Sequence, residues 1–446
     1  MTKDMTVGSP FKLLLKFSIP LIFGNIFQQF YSTVDAIIVG RFLGKESLAA
    51  VGSTGSICFL IIGFCLGLCS GFAIPVAQSF GAKNFEDMRR YIGNTVWLSI
   101  GASVLFTLVT VVFCRGILLI MSTPKDIIEE AYIYIVIIFA GIPATFLYNI
   151  MASLLRALGD SRTPVIFLVL ASVINIALDL FLIVVIPMGV AGAAIATITS
   201  QLVSGIACFI FVVKKFHILH ITKQDLKIRP DIIRDLLGMG IPMGLQSSIT
   251  ALGAIVLQAS VNTLGSIAVA AVTAASRLSG FFSTAFDAIG IAMSTYGGQN
   301  IGARKVERLN PGLRAGMIIG SVYAVISLVV IIFFGKPMTT LFVEASETEI
   351  IAKSYEYLVI SAFFFIPLAA VNIFRLLIQG IGYSKMAICA GICEMVARGF
   401  IGVFLVPAFG FTAACYSSPI AWVLADMFLV PAYCYIRRYI SQWGVR

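Results

Sequence analysis

Charge is scarce in this chain. Only 12% of its 446 residues are Asp, Glu, Lys or Arg, against roughly 25% in a soluble globular domain, which excludes a water-solvated protein of this length. Histidine is scarcer still. His217 and His220 stand three apart in a polar stretch with no third ligand near them, which fits a solvated loop better than a zinc site. The strict apolar/polar alternation of a membrane β-barrel is missing. The nine cysteines all lie in apolar segments, and the pairs Cys65/Cys69 and Cys389/Cys393 share helix faces without polar neighbours. They read as small buried hydrophobes, and no disulfide framework is expected. The first eleven residues carry Lys3, Asp4 and Pro10 in place of a short apolar core with a small-residue cleavage site, so no cleaved leader is expected.

What is present is a repeat. AQSFGAKN at 77–84 returns as GQNIGARK at 298–305, and LGKESLAAV at 43–51 returns as LGSIAVAAV at 264–272. Ile19-Pro20 returns as Ile241-Pro242, and YNIMASLLRALGDS at 148–161 returns as VNIFRLLIQGIGYS at 371–384. Four matches at nearly one offset describe one unit written twice. Duplicated halves of this kind in membrane proteins point to a central site about which the halves rock.

Hydrophobic residues make up 59% of the chain, and a spanning helix needs about 20 of them in a run. Twelve segments qualify: 12–40, 49–80, 89–120, 127–155, 163–186, 189–214, 232–262, 267–300, 311–342, 349–380, 385–408 and 411–438. The expected fold is therefore an all-α integral membrane protein of twelve transmembrane helices in two pseudo-twofold-related six-helix lobes. Residues 1–214 form the N-terminal lobe, 215–230 a basic cytoplasmic linker and 231–446 the C-terminal lobe. With a cytoplasmic N-terminus, most of the 31 Lys and Arg, Arg375 and Arg446 among them, fall on the cytoplasmic side. The outer side holds only Arg41, Lys45, Arg115, Lys125, Lys336 and Lys353, and Arg277 and Arg398 lie within spans. This asymmetry is the positive-inside signal and places both termini in the cytoplasm. The net charge of +10 is then a topology signal, and no nucleic-acid partner is needed to explain it.

Ionisable groups inside a span are costly and mark function by default. Here they are Asp35, Asp179, Arg277, Asp287, Glu394, Arg398 and Asp426. At ~1.5 Å per residue, Asp35 in the first span, Asp179 in the fifth and Thr197 in the sixth come to one level, ~9–12 Å from the outer surface. Asn175 lies one turn before Asp179 on the same face. Two carboxylates, an amide and a hydroxyl suit Na⁺, or a carboxyl pair that shares a proton. The alternative is a hydrogen-bond network that packs the three helices. The repeat places Leu257, Arg398 and Gly402 where the first half has Asp35, Asn175 and Asp179. In the second half, Arg277, Glu394 and Arg398 are expected to form a buried cluster, either a structural ion network or a substrate-facing one. Asp287 and Asp426 are candidates to line its cavity. Pro20 and Pro242 occupy matching places and permit kinks, so Pro20 near the carboxylates is a candidate gate.

From Lys12 to about Arg438 the chain resembles the multidrug and toxic compound extrusion (MATE) family. The residues that carry the resemblance are IPLIFGNIFQQFYSTVDAIIVGRFLG (19–44), the AQSFGAKN/GQNIGARK pair, RALGDSRTP (156–164) and NIALDLFLI (175–183). The resemblance implies two six-helix lobes that export drugs, often organic cations, in exchange for Na⁺ or H⁺. It implies Asp35, Asn175, Asp179 and Thr197 as the coupling site. One departure stands out: the glutamate that some members carry in the seventh span is replaced by Thr250.

Three functions follow in order of fit. The first is secondary antiport of small-molecule drugs or toxins across a plasma membrane. The second is a lipid-linked precursor flippase of the same superfamily, whose cavities would carry cationic residues in both lobes. The third is an intramembrane enzyme or channel, for which no nucleophile–base pair or matched polar rings are visible. No cofactor beyond the coupling ion is expected, and a monomer suffices because the duplication supplies both lobes.

Overall fold

The computed structural model describes residues 2–121 and 123–443. Arg446, counted above with the cytoplasmic cations, lies outside them. The first repeat comprises α1 (Pro10–Phe42), α2 (Lys45–Gly81), α3 (Phe85–Ile120), α4 (Ile128–Ala140), α5 (Ile142–Ala157), α6 (Arg162–Asp179) and α7 (Val190–Lys215). The second comprises α8 (Pro230–Asn262), α9 (Ser266–Gly302), α10 (Leu309–Thr339), α11 (Thr348–Phe363), α12 (Phe365–Gly380), α13 (Ser384–Phe400), α14 (Val406–Phe409) and α15 (Phe411–Trp443). Among the described residues, ten helices are long and apolar enough to cross a membrane. Two further helix pairs are as apolar but bent, α4–α5 by 47° and α11–α12 by 53°, and the total is twelve when each pair is counted as one span.

The repeat is written in the backbone as well. A π-helical turn follows α6 at Leu180–Val185 and α13 at Ile401–Leu405. Gly44 and Gly265, each just before a long helix, share φ 96°. Lys83 (φ 57°) and Arg304 (φ 58°) hold the left-handed conformation at equivalent turns, where a non-glycine residue stores strain. The apolar faces of α3 and α10 stay exposed, with Leu105, Leu108 and Val112 on one and Val325, Val329 and Phe333 on the other. Such faces suit lipid rather than water.

The chain divides into two compact units, but not at the ends of the repeat. Phe23–Gly244 forms the first unit, while Asp4–Ile22 belongs with the chain from Leu245 on. The openings of α1 and α8 thus pack with the opposite repeat, and each crossing point lies two residues beyond Pro20 or Pro242. In the first unit the core gathers Phe72, Met88, Ile135, Phe139, Ile142 and Leu155, with Leu236 from the opening of α8. Gly67 and Gly71 of α2 let α8 come backbone to backbone: a Cβ on Gly67 would lie 2.6 Å from the Gly244 Cα. Gly67→Ala should therefore cost about 1–3 kcal/mol as overpacking. This would appear as a lowered melting midpoint in detergent, and an unchanged midpoint would contradict the close crossing.

In the second unit the N-terminal segment is tied down by polar contacts. The Met5 N–H donates to Gln299 Oε1 (2.8 Å), and Lys305 Nζ and Arg308 Nη2 donate to the carbonyls of Thr6 (2.9 Å) and Gly8 (2.8 Å). The linker before α8 is tied in the same way within the first unit. Asn94 Nδ2 donates to the Lys227 carbonyl (3.2 Å), Trp97 Nε1 donates to the Leu226 carbonyl (2.9 Å), and Asp225 pairs with Arg89 at 3.7 Å. Burial alone would push the Asp225 carboxyl up. The Thr222 N–H and hydroxyl, with Arg89 and Arg90, outweigh it and hold the group below the ordinary carboxylate range. A folded value below the unfolded one, about 3.9, adds stability above that pH, and the contribution is lost as pH falls through the folded value. Asp225→Asn should cost about 1–3 kcal/mol at neutral pH and less as pH falls below about 4. Protease accessibility of the linker across that pH range checks it.

Candidate cation site

Asp35 and Tyr31 stand one turn apart on α1, as do Asn175 and Asp179 on α6, so each pair points one way. Asp179 is fully buried and Asn175 is 1% exposed. The structure brings all four predicted residues together. The Asp35 and Asp179 carboxyls are in hydrogen-bonding contact. Asn175 Nδ2 donates to Thr197 Oγ1 at 3.4 Å, and Thr197 Oγ1 donates to the Ala193 carbonyl at 3.0 Å. Two tyrosines join them. Tyr31 shares a hydrogen bond with Thr197, and Tyr134 of α4 lies within electrostatic reach of both aspartates.

An apolar cluster on the same helices adjoins this set: Ile38, Val39, Ile183 and Ala193 are buried, with Val34, Tyr134 and Ile176 against them. Asp35 Oδ1 is buried without a hydrogen-bond partner among the described residues, and no salt bridge there includes Asp35. Two carboxyls in such contact need a proton or a metal cation between them, because like charges at this distance repel strongly in a low-dielectric setting. The π-helical turn begins at the residue after Asp179. Such turns break the regular carbonyl ladder and recur at functional sites.

Beside the site, and sharing Tyr31 with it, lies a cavity of about 130 Å³. Its polar lining includes Gln28, Tyr148, Asn149, Ser200 and Gln201 and no charged side chain, and Ile62 and Leu168 complete its wall. The polar groups are already oriented: Thr145 Oγ1 donates to Gln201 Oε1 at 2.7 Å, and Tyr148 OH donates to the Pro164 carbonyl at 3.0 Å. At roughly 30 Å³ per water, the space holds a few waters in this state.

The second unit departs from expectation. Glu394 is 3% exposed and sits between two guanidiniums, those of Arg398 (3.2 Å) and Arg375. Arg277, the expected third member, is exposed and joins no salt bridge among the described residues. Arg375, assigned from sequence to the cytoplasmic side, is buried in its place. The spacing of Glu394 and Arg398 aims both from α13 at α12, which carries Arg375. Asp287 is exposed and within electrostatic reach of Arg375, and Asp426 is within reach of Arg375 and Glu394. Gln379, one turn from Arg375, hydrogen-bonds Gln246 of α8.

A family profile described as MatE matches this sequence twice, over residues 20–181 and 242–404. The chain belongs to the MATE family. It is a multi-pass membrane transporter and not an enzyme. Two relatives from Bacillus subtilis (strain 168) are the probable multidrug resistance protein YpnP, 32% identical with 83% of this chain and 82% of that one covered, and the probable multidrug resistance protein YoeA, 30% identical with 79% and 77% covered. Among solved structures, an outward-facing multidrug resistance MATE family transporter of the MOP superfamily superposes with a TM-score of 0.92. It covers 99% of this chain and 100% of that one at 24% identity, a likeness of fold.

In this MATE chain the sequence reading missed Tyr31, Tyr134 and the cavity. Tyr31 was within reach: Gln28, Tyr31 and Asp35 recur at helical spacing on one face of α1. Tyr134 carries no such signal, because an aromatic in an apolar run reads as packing.

Proposed function

We propose that this MATE transporter is a secondary active exporter of small organic compounds, drugs or toxins of cationic character among them. It works by antiport with Na⁺ or H⁺ through alternating access. The contact between the Asp35 and Asp179 carboxyls beside an apolar cluster carries the reading. Cation binding there, with Asn175 and Thr197 as further oxygen ligands, would relieve the repulsion and draw α1 toward α6 and α7. Release would loosen them. Pro20, inside α1, is the position at which the helix bends as the site fills and empties. The neighbouring cavity is smaller than the ~300–1,000 Å³ of drug-sized pockets, so substrate entry requires the state in which α1 has moved. The names of the two Bacillus relatives support the class of compound. The absence of cationic side chains from the cavity lining disfavours a lipid-phosphate cargo. The positive-inside pattern supports a plasma-membrane protein with cytoplasmic termini, and two lobes on one chain support a monomer.

Uptake of a fluorescent organic cation into everted vesicles, whose cytoplasmic face is outward, under an imposed Na⁺ gradient and then an imposed pH gradient, tests this. Uptake driven by one gradient names the coupling ion. No uptake under either gradient contradicts the proposal.

A further inference from the structure

The two repeats can be compared residue by residue at the site just described. Within α6 and α13 the register is fixed by burial. Pro164, Ala171, Asn175, Asp179 and Ile183 are buried in the first repeat, and Ala387, Glu394, Arg398, Gly402 and Val406 are buried at the matching positions of the second. Gly189 and Gly410, both at positive φ, fix the next helix pair and match Thr197 with Ser418. In α4 and α11 the buried positions match Tyr134 with Tyr357.

Part of the first unit's shell is thus preserved in the second. Tyr357 hydrogen-bonds Ser418, the counterpart of Thr197, and also Ser276 of α9. What changes is the charge. Asp35 and Asp179 become Leu257 and Gly402, Asn175 becomes Arg398, and Ala171 becomes Glu394. Gly253, opposite Tyr31 in the repeat, leaves room for the new side chain: a Cβ there would touch Arg398 Cδ and Nη1 at 3.6 Å. Arg398 is 7% exposed, bonds Glu394 through Nη2, and carries a buried Nε with no hydrogen-bond partner among the described residues. It lies within electrostatic reach of Tyr357.

We propose that Arg398 is a resident cation: its guanidinium fills, in the second unit, the place that the first unit reserves for an exchangeable one. A guanidinium cannot be deprotonated in a protein, so this copy of the site is loaded permanently. Its neighbours fit that role. Arg398 and Arg375 supply fixed positive charge to Glu394, and Arg375 is also within electrostatic reach of Asp287 and Asp426. The carboxylates of the second unit therefore have counter-charges built into the chain, and only the first unit takes up and gives up a cation. Of the two matching places, one is then fixed while the other cycles.

This inference rests on the cation site proposed for the first unit, and the test separates the two. Radiolabelled Na⁺ bound by the purified full chain, together with protons taken up or released in weakly buffered solution, counts exchangeable cations. The wild type should hold one, and Asp35→Asn/Asp179→Asn none. Adding Arg398→Asn to that double variant should restore one, at Glu394, whereas Arg398→Lys should not, because it keeps a tethered charge. A cation that persists in Asp35→Asn/Asp179→Asn and disappears with Glu394→Gln or Asp426→Asn would overturn the resident-cation inference alone. So would an Arg398→Asn variant that folds and gains no cation. If Arg398→Asn does not fold, the persisting-cation arm decides by itself. Equal binding in wild type and Asp35→Asn/Asp179→Asn, untouched by the second-unit changes, would instead overturn the first-unit site.

Discussion

Asp35→Asn is expected to reduce gradient-driven efflux roughly 5- to 150-fold, the span of a 1–3 kcal/mol coupling free energy. The amide keeps the volume of the carboxyl and can still hydrogen-bond Asp179, but it can neither ionise nor hold a proton for exchange. The site loses the change of charge that couples cation to cargo and keeps its packing. Asp179→Asn should act alike. The double variant should be little worse than either single one, because residues that act as a unit give non-additive losses. Efflux at equal membrane abundance checks this. A wild-type rate in Asp35→Asn would contradict it, and losses that multiply in the double variant would show two independent sites.

Glu394→Ala should destabilise the protein by about 3–5 kcal/mol, because it leaves the buried guanidiniums of Arg375 and Arg398 facing each other without their shared anion. Arg277→Ala should stay within about 0.5 kcal/mol, as substitutions at exposed positions usually do. Thermal midpoints in one detergent compare the two directly. A large loss at Arg277 with a small one at Glu394 would restore the cluster first expected from sequence and contradict the one built on Arg375.

That contrast shows where sequence reasoning holds and where it fails. Apolar runs and a repeated offset carry the twelve spans, because lipid demands long apolar helices whatever the tertiary packing. Asp35, Asn175, Asp179 and Thr197 were legible as neighbours because α1 and α7 run unbroken through those positions and α6 is regular up to Asp179, where the π-helical turn begins. Arg375 was misplaced for a different reason. Five residues from the end of α12 it counts as a loop cation by position, and its burial comes from pairing with Glu394 on α13, a tertiary contact that hydropathy does not encode. The unit boundaries depend on how the openings of α1 and α8 pack, as at Gly67 and Gly244, and hydropathy does not encode that. The cavity draws its walls from five helices, each giving two or three residues, too few on any one helix to leave a pattern.

The central claim is that cation exchange at Asp35 and Asp179 drives export. Its most direct test reverses the coupling. Proteoliposomes holding the purified protein are given a gradient of a fluorescent organic cation and no ion gradient, while internal pH and Na⁺ are followed by indicator dyes. The account predicts that one of the two ions moves against the substrate in the wild type, and that this movement disappears in Asp35→Asn. Substrate movement with neither ion moving, or ion movement unchanged in Asp35→Asn, would contradict it.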